Sequence, residues 1–267
     1  MSRRVAIGGL GTIGLSVANW LVQADGFDLA AVAASSVASA ESKVSDLGVS
    51  PKVVVATELA DHADIVIECA PAAHFAAIAE PAIDAGRTLV ALSAGALLTR
   101  PDLVEGADLS GAQIIVPTGA LIGLDAVRAM AQGEIVSVTL VTRKPPKGLI
   151  GAPYLEAEDI DVANLTDPLR VFHGNAFDAA KAFPANINVG AALALAGAGP
   201  ERTMIEIWAD PTISRNRHRV EVVSDSAIAS MEIEGMPSAD NPRTSASVAN
   251  SVIAALRRMS DPLVVGT

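Results

Sequence analysis

"RRVAIGGLGTIGLSVANWL", residues 3–21, is the stretch on which the fold turns. An apolar run from Val5 to Ile7 passes into Gly8, Gly9, Gly11 and Gly14, then into alternating apolar and polar residues of helical period. Glycine costs backbone entropy in an ordered element, so glycines this dense need a reason. Either the turn is too tight for side chains, or the backbone must come close to something bulky and negatively charged. Gly9-x-Gly11-x-x-Gly14, following a strand and opening a helix, predicts the second. The first glycine makes the turn, the second admits a pyrophosphate, and the third lets the helix pack closely on the strand. The helix N-terminus adds N–H donors and a partial positive charge for the phosphates.

Outward from that loop, strand and helix patterns keep alternating. Residues 12–24 read as a helix ended by Asp25-Gly26, "FDLAAVAAS" as a second strand and "ADIVIECA" as a third. A helix follows from about Ala73 to Ala85, then the strands "TLVALSA" and "AQIIVPT". Such alternation with short connections predicts an α/β fold, a Rossmann-type doubly wound parallel sheet over residues 1–118. After Pro117-Thr118 the texture changes. "GLDAVRAMAQ" is a short amphipathic helix, while "IVSVTLVTRKP", "RTMIEIWAD", "RHRVEVVSD" and "SAIASMEIEG" alternate like strands with one solvated face. We expect a second α/β domain over residues 119–240, with a mixed or antiparallel sheet, its own helices (Ala176 to Gly197, for example), substrate contacts and a dimer surface. The last helix starts near "NPRTS" with Pro242 at its first turn and, within about 241–267, is expected to pack back on the first domain.

The composition agrees. The chain of 267 residues is 51% hydrophobic but only 3% aromatic, so its core is built from Ala, Val, Leu and Ile, which suits parallel strands buried on both faces. A formal charge of −11 disfavours nucleic acid and anionic membrane surfaces as partners. One cysteine, Cys69, excludes an intramolecular disulfide and a cysteine-based metal cluster, and at the end of an aliphatic strand it reads as a small hydrophobe rather than a nucleophile. No pair of His or carboxylates stands at a ligand spacing, so no metal is expected. No signal-peptide pattern or membrane span is apparent, and the expectation is a cytoplasmic protein.

The expected dinucleotide contacts are Gly9, Gly11, Thr12, Ile13 and Gly14, with Ser35 and Ser36 after the second strand and Ala70 after the third. An NAD-selective site places Asp or Glu after the second strand to bond the ribose hydroxyls. Ala34, Ser35 and Ser36 stand there instead, with Lys43 as a nearby cation, which implies loose discrimination between NAD and NADP and a lean to NADP. Of the histidines, His62 lies in a polar connection, His74 and His173 near the mouth of the expected cleft, and His218 in "DPTISRNRHRVEV" at the entry to a strand. Histidine moves protons near neutral pH, and His218 is the candidate acid/base. Cations for an anionic substrate are Arg143, Lys144 and Lys147 in "TRKPPKG" and Arg243 in "NPRTS", where Thr244, Ser245 and helix amides add donors.

"GGLGTIG", "ECA", "SAGAL", "PTGALIGLDA", "TRKPP", "FPANINVGAALALAG", "DPTISRNRHRVEV" and "NPRTS", in this order along nearly the whole chain, resemble the L-aspartate dehydrogenase family. The resemblance implies a dinucleotide-binding domain followed by an α/β catalytic domain, usually in a homodimer. It implies oxidation of L-aspartate with NAD or NADP to iminosuccinate, which water converts to oxaloacetate and ammonia, or the reverse reductive amination. It places the active-site histidine on His218 and further dinucleotide contacts on Ala120 and Asn188. Rival readings are a reductase of the same fold for another small amino or oxo acid, and a dinucleotide-binding sensor without turnover. The Glu-Lys-Pro of sugar-type dehydrogenases is absent, since residues 68–71 read "ECAP".

Overall fold

A computed structural model of the chain describes residues 2–184, 187–236, 238 and 245–266. The chain divides into two compact units, Met1–Gly119 with Val248–Val264, and Ala120–Ser247 with Val265–Thr267.

In the first unit the order is β1 (Arg3–Gly8), α1 (Thr12–Leu21), β2 (Phe27–Ala33), α2 (Val37–Val44), β3 (Lys52–Val53), α3 (Leu59–His62), β4 (Ile65–Glu68), α4 (Phe75–Asp84), β5 (Thr88–Ala91), α5 (Ala94–Leu98), α6 (Pro101–Ser110) and β6 (Gln113–Ile115). The six strands are parallel, in the order β3-β2-β1-β4-β5-β6. This is the doubly wound arrangement whose switch point, where the strand order reverses, lies between β1 and β4. The central strands bury both faces. Val5, Ile7, Val32, Ile65, Ile67 and Val90 pack on one side with Val17 and Leu21 of α1. Ala6, Ala31, Ala33, Val66 and Ala91 face the other way, and their small side chains make room for Phe75 and Ile78 of α4. A helix over Ser247–Arg258 adds Ala249, Val252 and Leu256 to the first of these layers.

The second unit holds α7 (Leu124–Met130), β7 (Ile135–Lys144), α8 (Pro153–Ala157), β8 (Leu169–Asn175), α9 (Ala176–Ala182), α10 (Asn188–Ala196), β9 (Thr203–Ala209), β10 (Arg217–Ser224) and β11 (Ile228–Glu234), and the C-terminal helix above is α11. Its sheet is mixed, in the order β11-β10-β7-β9-β8, with β7 and β9 parallel and the other neighbours antiparallel. Val138, Leu140, Ile205, Ile207, Val220 and Val222 form its buried face, on which α9 and α10 pack. Gly190 lets α10 approach, since a Cβ there would come within 2.9 Å of Ile205 Cδ1.

Three features differ from the sequence reading. The two-residue β3 makes "ADIVIECA" the fourth strand rather than the third. The helix expected over Ala176–Gly197 is two helices, because Phe183 precedes Pro184 and is pushed out of the helical region to φ −133° and ψ 59°. The last helix begins at Ser247 rather than at "NPRTS"; Pro242, Arg243 and Thr244 lie outside the described residues.

Candidate active site

In the first unit the glycines have different reasons. Gly9 adopts φ +102°, and a Cβ on it would lie 2.6 Å from the Cys69 carbonyl oxygen and 2.7 Å from the Ala70 nitrogen. A Cβ on Gly14 would collide with the Gly9 carbonyl oxygen. Both demands are internal to the fold. Gly11 has φ −79° and, among the described residues, no atom within 4 Å of a Cβ built on it. Among the described residues nothing requires glycine there, so the open space before α1 fits a group from outside. Gly11 is also the N-cap of α1, with no side-chain cap and no acidic residue in the first turn, and Thr12, Ile13 and Gly14 form that turn. A helix start of this kind offers its first amides to an anion. The loop thus suits the pyrophosphate of a nicotinamide dinucleotide.

Two neighbours complete this end of the sheet. Ser35 is exposed, and Ser36 caps α2, its hydroxyl accepting from the Ser39 amide at 3.2 Å. Lys43 of α2 reaches back to donate to the Leu10 carbonyl at 2.9 Å, which sets an ammonium beside the glycine loop. At the end of β4, Glu68 is fully buried. Its Oε1 accepts from the Ala70 amide (3.1 Å) and the Ser93 hydroxyl (3.0 Å), and its Oε2 from the amides of Leu92 (3.2 Å) and Ser93 (2.9 Å). Burial pushes this carboxyl up and the donors oppose the rise. Four donors converge on this carboxyl and tie the loops after β4 and β5 together, Ala70 included. The sequence reading missed Glu68. The visible signal was a lone acid closing the aliphatic run "IVIE".

In the second unit, β10 and β7 pair antiparallel with His218 opposite Thr142. The pleat puts Thr142, Lys144 and His218 on the buried face, at 5%, 9% and 4% exposure, beside the aliphatic Val138, Leu140, Val220 and Val222. Thr142 Oγ1 and His218 Nδ1 are hydrogen-bonded at 3.1 Å. Burial, and next the Lys144 charge, push the imidazole down to about 3, while burial holds the Lys144 ammonium down to about 8. His218 is thus neutral beside a cation at neutral pH. Thr142 was also missed, although alternation along "VTLVTRK" puts it in phase with Lys144.

The remaining candidates are scattered. Ala120 is half-buried in a turn after Gly119, whose amide donates to Ser251 Oγ of α11 at 3.0 Å. Asn188 is exposed as the first residue of α10. Ser245 precedes α11, its hydroxyl bonded to the Met236 carbonyl (3.3 Å) and Ser247 Oγ (2.9 Å). Arg243 and Thr244 lie outside the described residues. Arg143 projects to the opposite face from Lys144, paired with Asp210 at 3.2 Å and stacked 4.5 Å over Trp208. Lys147, His74 and His173 are exposed, and His62 is half-buried with Nε2 3.3 Å from Lys52 Nζ. Cys69 is half-buried; burial, then the Glu68 carboxylate, push its thiol well up. Among the described residues no group of three or more His, Cys, Asp or Glu is placed to hold a metal ion, and no helix is long and apolar enough to cross a membrane.

A family model described as "Aspartate dehydrogenase, C-terminal" matches residues 125–259, and one described as "Homoserine dehydrogenase, NAD binding domain" matches residues 9–117. L-aspartate dehydrogenase of Bradyrhizobium diazoefficiens is 52% identical over 264 residues, covering 99% of this chain and 94% of the relative. L-aspartate dehydrogenase 3 of Bordetella bronchiseptica is 49% identical over 265 residues, covering 98% and 97%. The crystal structure of aspartate dehydrogenase from Thermotoga maritima has a similar fold, with a TM-score of 0.76 at 24% identity and full coverage of both chains.

The two glycine substitutions separate internal from external demands. Gly14→Ala should lower the thermal midpoint sharply, by an overpacking cost of roughly 1–3 kcal/mol or more. Gly11→Ala should leave the midpoint nearly unchanged and weaken dinucleotide binding at least about tenfold in a fluorescence titration. Unchanged binding by Gly11→Ala removes the loop from the cofactor site.

Proposed function

The chain belongs to the L-aspartate dehydrogenase family, and from that premise we propose how its residues carry the reaction and choose the cofactor. The protein is an NAD(P)-dependent oxidoreductase acting on the CH–NH2 group of L-aspartate, giving iminosuccinate and then oxaloacetate and ammonia, or running in reverse as a reductive amination. When bound, the nicotinamide exchanges hydride with the substrate carbon. The glycine-loop amides hold the pyrophosphate, and Ala120 and Asn188 contact the nicotinamide half. His218 takes a proton from the substrate ammonium or from the water that adds to the imine, and returns one in the reductive direction. Lys144 receives a substrate carboxylate, with Arg243, Thr244 and Ser245 as further carboxylate contacts. A dicarboxylate against Lys144 offsets the charge that depresses the imidazole, so bound substrate makes His218 a better base. The observation that carries this reading is a buried, neutral, hydrogen-bonded imidazole beside a buried cation.

NADP is the preferred cofactor in this reading, with NAD also accepted. Its supports are the missing carboxylate after β2 and the Lys43 ammonium at the glycine loop. The enzyme is placed in the cytoplasm, where both dinucleotides are held, and acts as a homodimer. The dimer rests on the outer face of the second sheet. There Arg143, Arg217 and Arg219 interleave with Glu206, Glu221 and Glu232 around Trp208, lining a shallow depression of about 380 Å³. Balanced charge on one face of a chain of net charge −11 suits a second copy related by a two-fold axis, arginines meeting glutamates.

Oxidation of reduced cofactor by oxaloacetate and ammonia, against other 2-oxo acids, tests the activity. Tight cofactor binding with no turnover on any oxo acid favours the sensor. His218→Asn should lower kcat at least about 10²-fold with cofactor affinity nearly intact. A variant with native turnover takes His218 out of the mechanism. The same variant reports on pH. The unfolded chain protonates this residue near its ordinary value of about 6.5, whereas the folded chain does so only at about 3. Between those values the unfolded state binds the extra proton, so stability present above the upper value is lost as pH falls towards the lower. His218→Asn should flatten that part of the curve.

Lys43→Ala should weaken NADP binding about tenfold and NAD binding much less. A native preference for NAD overturns the cofactor assignment. Reversing both Arg217 and Arg219 to Glu should leave a monomer by light scattering. An unchanged mass displaces the dimer from this face.

A further inference from the structure

Thr142 stands where the sheet does not need it. Its cross-strand partner is His218, and its neighbours along the buried face of β7 are Val138, Leu140 and Lys144. Valine has nearly the same shape and avoids the cost of burying a hydroxyl, so packing by itself favours Val at this position. What the hydroxyl provides is the 3.1 Å bond to His218 Nδ1.

The other ring nitrogen completes the picture. Among the described residues no buried side-chain nitrogen or oxygen lacks a hydrogen-bond partner, and the bond of the His218 side chain is the one at Nδ1. Nε2 is therefore the nitrogen that reaches accessible space, through the 4% of the residue left exposed. The ring is held at Nδ1 and nearly enclosed, with a small accessible area left for Nε2. A hydroxyl serves as donor or acceptor, but only one direction suits a base acting through Nε2. Nδ1 must carry the proton and donate to Oγ1, leaving the Nε2 lone pair outward. When Nε2 then gains a proton, the Nδ1–H bond stays in place and stabilises the imidazolium.

We propose that Thr142 is a positioning residue, its Oγ1 accepting from His218 Nδ1–H so that the imidazole is held in the tautomer that presents an unprotonated Nε2 to the substrate. The inference rests on His218 being the acid/base and extends it to the group that sets its tautomer. The charged group that faces the imidazole on this side of the sheet is Lys144. The partner across on β11, Ile233, is apolar, and Arg143, Arg217 and Glu234 lie on the other face.

The test compares Thr142→Val, which keeps the shape and removes the hydroxyl, with Thr142→Ser, which keeps the hydroxyl. Nitrogen-15 chemical shifts of the His218 ring in the purified protein report the tautomer without any turnover. They should show Nδ1–H in the native chain and in Thr142→Ser, and a shift towards Nε2–H in Thr142→Val. In the assay Thr142→Val should lose about 10–100-fold in kcat, with KM and cofactor affinity nearly constant. The acid limb of its pH–rate profile should also move, while Thr142→Ser recovers most of the rate. An unchanged tautomer in Thr142→Val overturns the proposal, as does native Nε2–H. If Thr142→Val folds poorly, the native and Thr142→Ser spectra decide by themselves: Nδ1–H in both supports the proposal and any other pattern overturns it. Should His218→Asn keep native turnover, the acid/base reading falls on its own, and the nitrogen shifts still judge the Thr142 contact.

Discussion

Between Gly9 and Gly14 the chain has no space for one more carbon atom. The Gly9 carbonyl oxygen occupies the place of a Gly14 side chain, and a side chain on Gly9 would strike the Cys69–Ala70 peptide. β1, the first turn of α1 and the end of β4 therefore meet backbone against backbone at the switch point of the sheet. That contact sets the start of α1, uncapped by any side chain, at the carboxyl end of the strands. Glu68 extends the arrangement sideways, because four donors from two loops converge on one buried carboxylate. A buried carboxyl without partners is costly, and here the cost is offset by hydrogen bonds that also hold Ala70 in place. Gly11 stands apart as the position where space is left over.

The second unit has the opposite character. Its buried sheet face is mainly apolar, with Thr142, Lys144 and His218 grouped at one end and Thr203 and Ser224 at the other. Burying a polar imidazole beside an ammonium is costly, and burial pushes the titration of both down. A sheet held by Val138, Leu140, Val220 and Val222 tolerates that cost. Local sacrifice of stability at a chemically competent site is a familiar pattern in enzymes.

Much of the fold was legible from residues. Val5 to Ile7 and Ile65 to Ile67 are unbroken aliphatic runs because both faces are covered, and Val138 to Lys144 alternates because one face is not. The two-residue β3 was too short to show a period. The break at Phe183 was hidden because the apolar pattern of "AFDAAKAF" resumes in "INVGAALALA", and the constraint came from Pro184 acting on its predecessor. In the site, the glycines and His218 could be singled out from type and spacing. Glu68 and Thr142 left only faint signals, a lone acid and an in-phase threonine that look ordinary until their partners are known, and Arg143 looked as suitable for the substrate as Lys144 until the pleat sent it to the other face.

The sequence by itself determined the glycine loop, the strand–helix alternation, the change of texture near residue 118 and a histidine in a suitable setting. These are local properties, written in spacing and in which backbone angles a residue tolerates. Tertiary structure decided which nitrogen of His218 is held, which lysine is buried and which carboxylate joins two loops. Thr142 and His218 are 76 residues apart, Lys43 and Leu10 are 33 apart, and Glu68 and Ser93 are 25 apart. Hydrogen bonding and desolvation depend on strand register and on what covers a face, and neither exists until distant segments have paired.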